Sequence, residues 1–570
     1  MTPGERLWRW RALSGEEGEP DALAAMTERE TESAFEGLIS FGTAGLRAVM
    51  GPGSARMNVL TVRLTARALA KTIPEHPETF AGTGVCICYD SRRNSRLFAE
   101  TCAAVMAEAG IPVLFFGELR PTPEISFAVR HYGCAAGINI TASHNPKEYN
   151  GLKVYGGDGG QLVPGPAAAV AAHMEEAELF LGPPAVSFEQ ALEEGKIRIL
   201  GKETDEAFFR AVLEMAAPCG RIPSGFPIVY TPFHGTGAKV IPEVLRRLGA
   251  DRLFCVEEQM IPDGDFPTVD SPNPEYKESF RLAERLADRV GADWIIGSDP
   301  DADRIAVEYR TEKGTFDHPS FQAVGSVLFE WYAGRLKETG RLPEKPVLMK
   351  SIVTGRLAGE VARAQGFGCR ETFTGFKYIT AEKDRLERNG EGRVVFSFEE
   401  SYGCMAGDYC RDKDAVGAAA LLCCMAADLA AHGMTLGDAI RDCYERYGYW
   451  AEKTVSITCT GTDSARRIAR VMRELRREPP EEAAGRRVLQ WEDMLDGRTG
   501  GSEADRRPTS DLKGEDVLRY HLEGGCSILL RPSGTEPKLR IYLSALCSRK
   551  DSGRVLEELE EWGLGLIPDP

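Results

Sequence analysis

One grammar recurs three times in this chain: an apolar run, a polar loop, a helix-like stretch, a glycine and a second apolar run. The first copy comprises residues 85–89, a loop over 90–95, a helix to Ala109, Gly110 and residues 111–116. The second runs from 228–230 through the loop 231–237 and a helix to Leu248, then Gly249 and residues 253–256. In the third, residues 347–349 lead through a loop ending at Gly355 to a helix ending at Ala364, then Gly366 and residues 369–373. This is the pattern of a crossover between parallel strands. Each glycine fits a helix C-terminal cap. The first strands begin 143 and 119 residues apart, too far for a solenoid repeat but suited to three related domains.

Each copy is followed by a further short apolar run that delivers an unusual loop. Residues 135–140 lead to Thr141-Ala142-Ser143-His144-Asn145-Pro146. Residues 294–297 lead to Ser298-Asp299-Pro300-Asp301-Ala302-Asp303-Arg304, and 394–396 to Ser397-Phe398-Glu399-Glu400-Ser401-Tyr402-Gly403. Ser143, Asp299 and Glu399 lie 58, 71 and 52 residues after their first strands. Loops at the carboxyl ends of strands line the crevice of open α/β sheets, so these three are expected to converge on one cleft.

Beyond about Arg446 the pattern changes. Residues 454–458 alternate like a strand with one exposed face, and 465–477 read as an amphipathic helix. Residues 478–507 are charged and carry Pro479-Pro480 and Gly500-Gly501, so they read as a surface excursion with little fixed structure. Residues 527–530 and 538–543 read as strands flanking Arg531-Pro532-Ser533-Gly534-Thr535-Glu536-Pro537. The expected fold class is α/β, with three related mixed α/β domains and a smaller α+β C-terminal domain.

Bulk properties remove several functions. A formal charge of −17 speaks against a general nucleic-acid-binding surface, while leaving an anionic small substrate to local Arg and Lys residues. No apolar run is long enough to span a membrane and no stretch reads as a signal peptide. Fifteen cysteines without a CxxC pair read as buried free thiols in a reducing cytoplasm. Eight histidines without an HExxH motif give zinc chemistry little support.

Asp299, Asp301 and Asp303 stand at i, i+2 and i+4, which in an extended loop puts three carboxylates on one side. They repel one another unless a hard divalent cation neutralises them, and Mg²⁺ is the expected ion. An EF-hand is excluded by Arg304 at the sixth position and Arg310 at the twelfth. Residues 531–537 offer a guanidinium, two hydroxyls and a flexible glycine, with Lys538 and Arg540 behind: a phosphate cradle, or a hairpin turn with a charged pair. Glu399 and Ser401 suit sugar hydroxyls, although acid/base work or plain surface charge fits them too. Lys377, between Phe376 and Tyr378, can contact phosphate, move a proton or snorkel from a core edge. Residues 41–47, ending in Arg47, form a second anion-touching loop or a glycine-rich turn.

In this order, residues 141–146, 299–304, 398–403 and 531–540 resemble the α-D-phosphohexomutase superfamily; 41–47, 231–237 and 374–377 match it as well. The resemblance covers nearly the whole chain. It is strongest to the phosphoglucomutase-2 and phosphopentomutase type, in which Phe-Glu-Glu-Ser-Tyr-Gly and Thr-Gly-Phe-Lys-Tyr are characteristic. It implies four domains around a central cleft, here 1–203, 204–313, 314–447 and 448–570. It implies that Ser143 bears a transferable phosphoryl group, and that Asp299, Asp301 and Asp303 hold Mg²⁺ together with an oxygen of that group. Glu399 and Ser401 would bind sugar hydroxyls, while Arg531, Ser533, Gly534 and Thr535 would hold the phosphate not being transferred. Arg47, His144, Lys153, Arg304 and Lys377 would surround the reacting group, Lys377 being the favoured general base or acid. The implied activity interconverts glucose 1-phosphate and glucose 6-phosphate through a glucose 1,6-bisphosphate intermediate. The alternatives are ribose or deoxyribose phosphates as substrates, or a phosphatase with a phosphoserine intermediate. Small sugar phosphates are the implied partners, in the cytoplasm, and the oligomeric state stays open.

Overall fold

The computed structural model describes residues 1–13, 15–42, 45–459, 463–501, 511–533 and 538–567. The first sheet contains β1 (Leu46–Val49), β2 (Val85–Tyr89), β3 (Val113–Phe116), β4 (Ala136–Ile140), β5 (Tyr149–Tyr155) and β6 (Ile197–Leu200), in the order β1-β5-β4-β2-β3-β6. The second contains β7 (Pro227–Thr231), β8 (Arg252–Cys255), β9 (Trp294–Ser298), β10 (Ile305–Arg310) and β11 (Phe316–Asp317), in the order β11-β10-β9-β7-β8. The third contains β12 (Pro346–Ser351), β13 (Gly368–Thr372), β14 (Arg393–Glu399) and β15 (Gly403–Ala406), in the order β13-β12-β14-β15.

These sheets share one four-strand frame. In each, the first strand of the repeat (β2, β7 or β12) runs parallel to the second on one side and the third on the other. The third strand then pairs antiparallel with a fourth. The crossover helices Ser95–Glu108, Gly237–Arg247 and Leu357–Ala364 are followed by Gly110, Gly249 and Gly366, with φ of 76°, 110° and 78°. Glycine tolerates this region, and it turns the chain from the helix back into the sheet.

The frame also decides where the three unusual loops lie. All three join the third strand to the fourth: β4 to β5, β9 to β10 and β14 to β15. Each contains one non-glycine residue in the left-handed region, at Ser143 (φ 52°), Ala302 (φ 49°) and Tyr402 (φ 67°). Such backbone is held only where the surroundings impose it.

The helix Ala415–Ala431 is apolar on every side and buried along most of its length. It lies in a core shared by the second and third sheets, together with Phe208, Val244, Ile296, Leu348 and Phe396. Among the described residues, no single helix is long and apolar enough to cross a membrane.

The last sheet is antiparallel: β16 (Trp450–Thr458), β17 (Glu482–Ala483), β18 (Arg486–Asp493), β19 (Arg498–Gly501), β20 (Leu518–Leu522), β21 (Cys526–Pro532) and β22 (Lys538–Leu546). Helices Ser464–Arg477 and Ser552–Gly565 pack on it. The expectation of little fixed structure over 478–507 is wrong for residues 482–501, which carry β17, β18 and β19, while 502–507 lie outside the described residues. Its buried charges are paired: Glu492 accepts from Arg519 at 2.9 and 3.0 Å, and Asp493 from Arg476 and Arg498 at 2.9 Å each.

Candidate active site

Ser143 follows the end of β4 and is 2% exposed. Its hydroxyl donates to Asp299 Oδ2 at 2.7 Å, and His144 Nδ1 lies 3.1 Å from the same oxygen. Burial, with Arg304 and Arg47 nearby, pushes the His144 imidazole well below its ordinary pKa, so the ring is neutral. Arg47, on β1, donates to Asn145 Oδ1 in the Ser143 loop at 3.3 Å.

The carboxylates of Asp299, Asp301 and Asp303 are buried, with ligand atoms within 4.8 Å of one another. They converge through a turn, not the extended segment that their spacing suggests. The Ala302 N–H donates to the Asp299 carbonyl at 2.9 Å, and the N–H groups of Asp303 and Arg304 donate to Asp299 Oδ1 at 3.1 and 3.0 Å. Burial raises Asp299 well above the carboxylate range, and its two acidic neighbours add to this. Burial also opposes charge on Asp301, but Lys153 and the hydroxyl of Thr122 hold it below its usual value. Asp301 Oδ1 and Asp303 Oδ1 are buried without a hydrogen-bond partner. An all-oxygen donor set with two unsatisfied atoms fits a hard divalent cation such as Mg²⁺.

Cations and hydroxyls from other elements hold this cluster. Lys153 Nζ, on β5, donates to Asp301 Oδ2 at 2.8 Å and Asp303 Oδ2 at 3.1 Å. Lys413 Nζ lies 3.1 Å from Asp303 Oδ2. Thr122, at the start of helix Thr122–Tyr132, donates its hydroxyl to Asp301 Oδ2 at 2.9 Å and its N–H to the Asp301 carbonyl at 2.8 Å. Asn139 Nδ2 donates to Thr122 Oγ1 at 2.9 Å. Arg304 Nη1 pairs with Glu275 at 2.9 Å. The loop 231–237 supports the aspartates from behind: Thr236 donates its N–H and hydroxyl to the Pro300 carbonyl at 2.7 and 3.0 Å. Gly235 presses on Pro300 so closely that a Cβ would sit 2.4 Å from its Cα.

The third loop is tied to the second by the Ile305 N–H, which donates to the Tyr402 carbonyl at 3.0 Å. Glu399 ends β14, buried, and its Oε1 accepts the Gly375 N–H at 2.7 Å. Burial, reinforced by Glu400, raises its carboxyl to about 7. Ser401 follows in the same loop, half-buried. Lys377 lies in the first turn of helix Phe376–Arg388; burial lowers its amine to about 8, with Arg531 pushing the same way and Glu515 opposing. Arg531 lies near the end of β21, and the Ser533 N–H donates to the Lys538 carbonyl at 2.8 Å, closing the base of that loop. Gly534 and Thr535 lie outside the described residues.

The residues expected from sequence thus form two groups. Ser143, His144, Arg47, Lys153, Arg304 and the three aspartates cluster between the first and second sheets. Glu399, Ser401, Lys377, Arg531 and Ser533 belong to the third and fourth, with Glu399 near enough to Arg304 and Lys413 for both to favour its charge. Sequence reasoning missed Lys413 and Thr122. Lys413 had a signal: Arg411-Asp412-Lys413-Asp414 is a charged run immediately before an apolar helix. Thr122 had none, since Thr122-Pro123 reads as an ordinary helix start.

Models of the phosphoglucomutase/phosphomannomutase family match the chain in four consecutive parts. Its alpha/beta/alpha domains I, II and III match residues 38–180, 206–312 and 326–447, and its C-terminal domain matches 465–561. A phosphoglucomutase of Staphylococcus epidermidis (strain ATCC 12228 / FDA PCI 1200) is 36% identical over 528 residues, 92% of this chain and 94% of that one. One from Staphylococcus aureus (strain MSSA476) is 34% identical over 526 residues, 92% of each chain. Among solved structures, the open form of Paramecium pp63/parafusin superposes with a TM-score of 0.66 at 18% identity, covering 92% of this chain and 94% of that one. A phosphoglucomutase/phosphomannomutase family protein from Burkholderia thailandensis gives 0.66 at 18%, with 93% and 97% covered; these two show the shared fold. The loops, their order and these matches lead to one assignment: the chain belongs to the phosphoglucomutase/phosphomannomutase family of the α-D-phosphohexomutase superfamily.

Proposed function

We propose that this chain is a phosphoglucomutase, an isomerase that interconverts glucose 1-phosphate and glucose 6-phosphate through a phosphorylated Ser143 and glucose 1,6-bisphosphate. The observation that carries this reading is the Ser143 hydroxyl, hydrogen-bonded at 2.7 Å to a buried cluster of three carboxylates from another sheet. The relatives named phosphoglucomutase, similar over more than nine-tenths of their length, support the sugar. Asp299, Asp301 and Asp303 would hold Mg²⁺, which when bound supplies Lewis-acid neutralisation of the moving phosphoryl group.

The rest falls to side chains. Glu399 and Ser401 orient the sugar through its hydroxyls, and Arg531, Ser533, Gly534 and Thr535 grip the phosphate that does not react. The free sugar hydroxyl attacks phosphorus; a P–O bond forms to the sugar as the bond to Ser143 breaks, and the Ser143 oxygen leaves as an anion that takes a phosphoryl group back in the return step. The hydroxyl proton passes to Lys377, whose amine near 8 is partly free at neutral pH. After the bisphosphate turns end for end, the steps reverse: Ser143 recovers a phosphoryl group and Lys377 returns its proton to the departing sugar oxygen. Positioning and charge neutralisation do most of the catalysis. Domain limits at 203/204, 313/314 and 447/448 suit this division of labour, and free, mostly buried cysteines suit a reducing cytoplasm.

Ser143→Ala should abolish turnover and leave the fold intact, and mass spectrometry of the active enzyme should find one phosphate on the Ser143 peptide. Residual activity in the variant above about one per cent would rule out the covalent route. Comparing kcat/KM for glucose 1-phosphate and ribose 1-phosphate settles the sugar: a preference for glucose of about tenfold or more is expected. The reverse preference would make the enzyme a phosphopentomutase.

A further inference from the structure

Arg92 stands behind the loop that carries Ser143. It belongs to the segment following β2, is 3% exposed, and its side chain is sealed from solvent. Nη2 donates to the carbonyls of Ser143 and Asn145, both at 2.5 Å, and Nη1 to those of Pro146 and Tyr149, both at 2.9 Å. One guanidinium therefore holds four backbone carbonyls within a seven-residue stretch. Asp90 steadies it: Oδ2 lies 3.5 Å from Nε, while Oδ1 accepts the Arg92 N–H at 2.9 Å and the Ser95 hydroxyl at 2.7 Å.

The second domain covers the other side of this group. The ring of Phe266, itself left-handed (φ 49°) and 2% exposed, lies over the guanidinium, its centre 5.1 Å from Cζ. Next to it, Gly264 approaches so closely that a Cβ would fall 2.5 Å from the Arg93 nitrogen. Arg93 Nη2 donates to Asp265 Oδ2 at 2.6 Å.

Buried carbonyls need donors, and a planar fork of charge-assisted N–H groups is what arginine alone supplies. The loop it grips contains the disfavoured backbone of Ser143 at φ 52°, from which the hydroxyl reaches Asp299. A lysine keeps the charge but has a single nitrogen, which cannot reach carbonyls on both sides of the loop.

We propose that Arg92 is a positioning residue for phosphoryl transfer: capped by Phe266, it locks the left-handed backbone that aims Ser143, and it links that lock to docking of the second domain. This rests on Ser143 carrying the phosphoryl group.

The test compares the full-length wild type with R92A, R92K and S143A. Both Arg92 variants should lose kcat for glucose 1-phosphate by about 10²-fold, with KM shifted less than about threefold, because misaim of the nucleophile affects the reacting step. Low millimolar guanidinium should restore R92A and bring no gain to R92K or S143A. An R92K enzyme with wild-type kcat overturns the proposal, and so does an R92A defect confined to KM or indifferent to guanidinium. Should neither Arg92 variant fold, F266A decides: a severalfold loss of kcat supports the lock, and an unchanged kcat overturns it. If the wild type carries no phosphate on Ser143, the underlying reaction scheme fails instead, whatever the Arg92 variants do.

Discussion

Two groups of the proposed site have pKa values shifted into the neutral range. Glu399 is raised to about 7 by burial and by Glu400, and Lys377 is lowered to about 8 by burial and by Arg531. Glu399 accepts hydrogen bonds best as the carboxylate, above its value; Lys377 accepts a proton only as the free amine, above its own. Both contributions are lost as pH falls, so kcat/KM for glucose 1-phosphate should rise with pH through two steps, near 7 and near 8. His144, pushed well below its ordinary value, adds no step there. Glu399→Gln should erase the lower step. Lys377→Met should erase the upper one and cost about 10² to 10⁴ in kcat. A Lys377→Met enzyme that keeps the step near 8 places the base elsewhere, and one that changes only in KM makes Lys377 a phosphate ligand. At this scale the sequence is legible where chemistry is contiguous: three aspartates in five residues disclose their own purpose. It is faint where a role comes from a distant contact: the charged run around Lys413 does not say that it meets Asp303 from 110 residues away, and nothing marks Arg92, whose four carbonyl partners lie beyond residue 142.

Among elements, the connection from third to fourth strand is the productive one, used three times for three different tasks. The crossover pattern exposed these loops in the sequence because parallel strands, helices and capping glycines leave periodic traces. The last domain was less legible, since charge in 478–507 mimics a solvated loop until Arg519, Arg476 and Arg498 are seen to neutralise it. The start of helix Thr122–Tyr132 is similar: nothing in its sequence announces that Thr122 clamps Asp301 from the neighbouring domain. Thr122→Val keeps the shape but removes that hydroxyl and leaves Asn139 Nδ2 without its acceptor. Such supporting contacts typically matter 10- to 100-fold in metal affinity, so Mn²⁺ binding to the purified protein, followed by electron paramagnetic resonance, should weaken by about tenfold or more. Thr122→Ser should bind as the wild type does. Equal Mn²⁺ affinity in the valine variant would show that the clamp is dispensable.

On the scale of the molecule, a mutase needs a second phosphate site that a phosphatase does not, and Arg531 is the most testable member of the one proposed above. Losing a charge-assisted bidentate contact costs about 1.5 to 3 kcal/mol, or one to two decades in kcat/KM, which is the drop expected for Arg531→Ala. A loosely held bisphosphate should also escape, leaving Ser143 bare, so added glucose 1,6-bisphosphate should help this variant more than the wild type. Impairment indifferent to bisphosphate would count against two phosphate sites. The shared core around helix Ala415–Ala431 fixes the second and third loops relative to each other, whereas the loop after β21 arrives on a separate sheet. Because β2 to β5, β7 to β10 and β12 to β15 are each consecutive, every frame can close as soon as its last strand leaves the ribosome. At a synthesis rate of about 5–20 residues per second, Ser143 therefore waits tens of seconds before Arg531 is made. With the roles proposed above, the proposed nucleophile is in place while the proposed retaining grip is still unwritten, and the two phosphate sites exist together only when the final sheet is threaded.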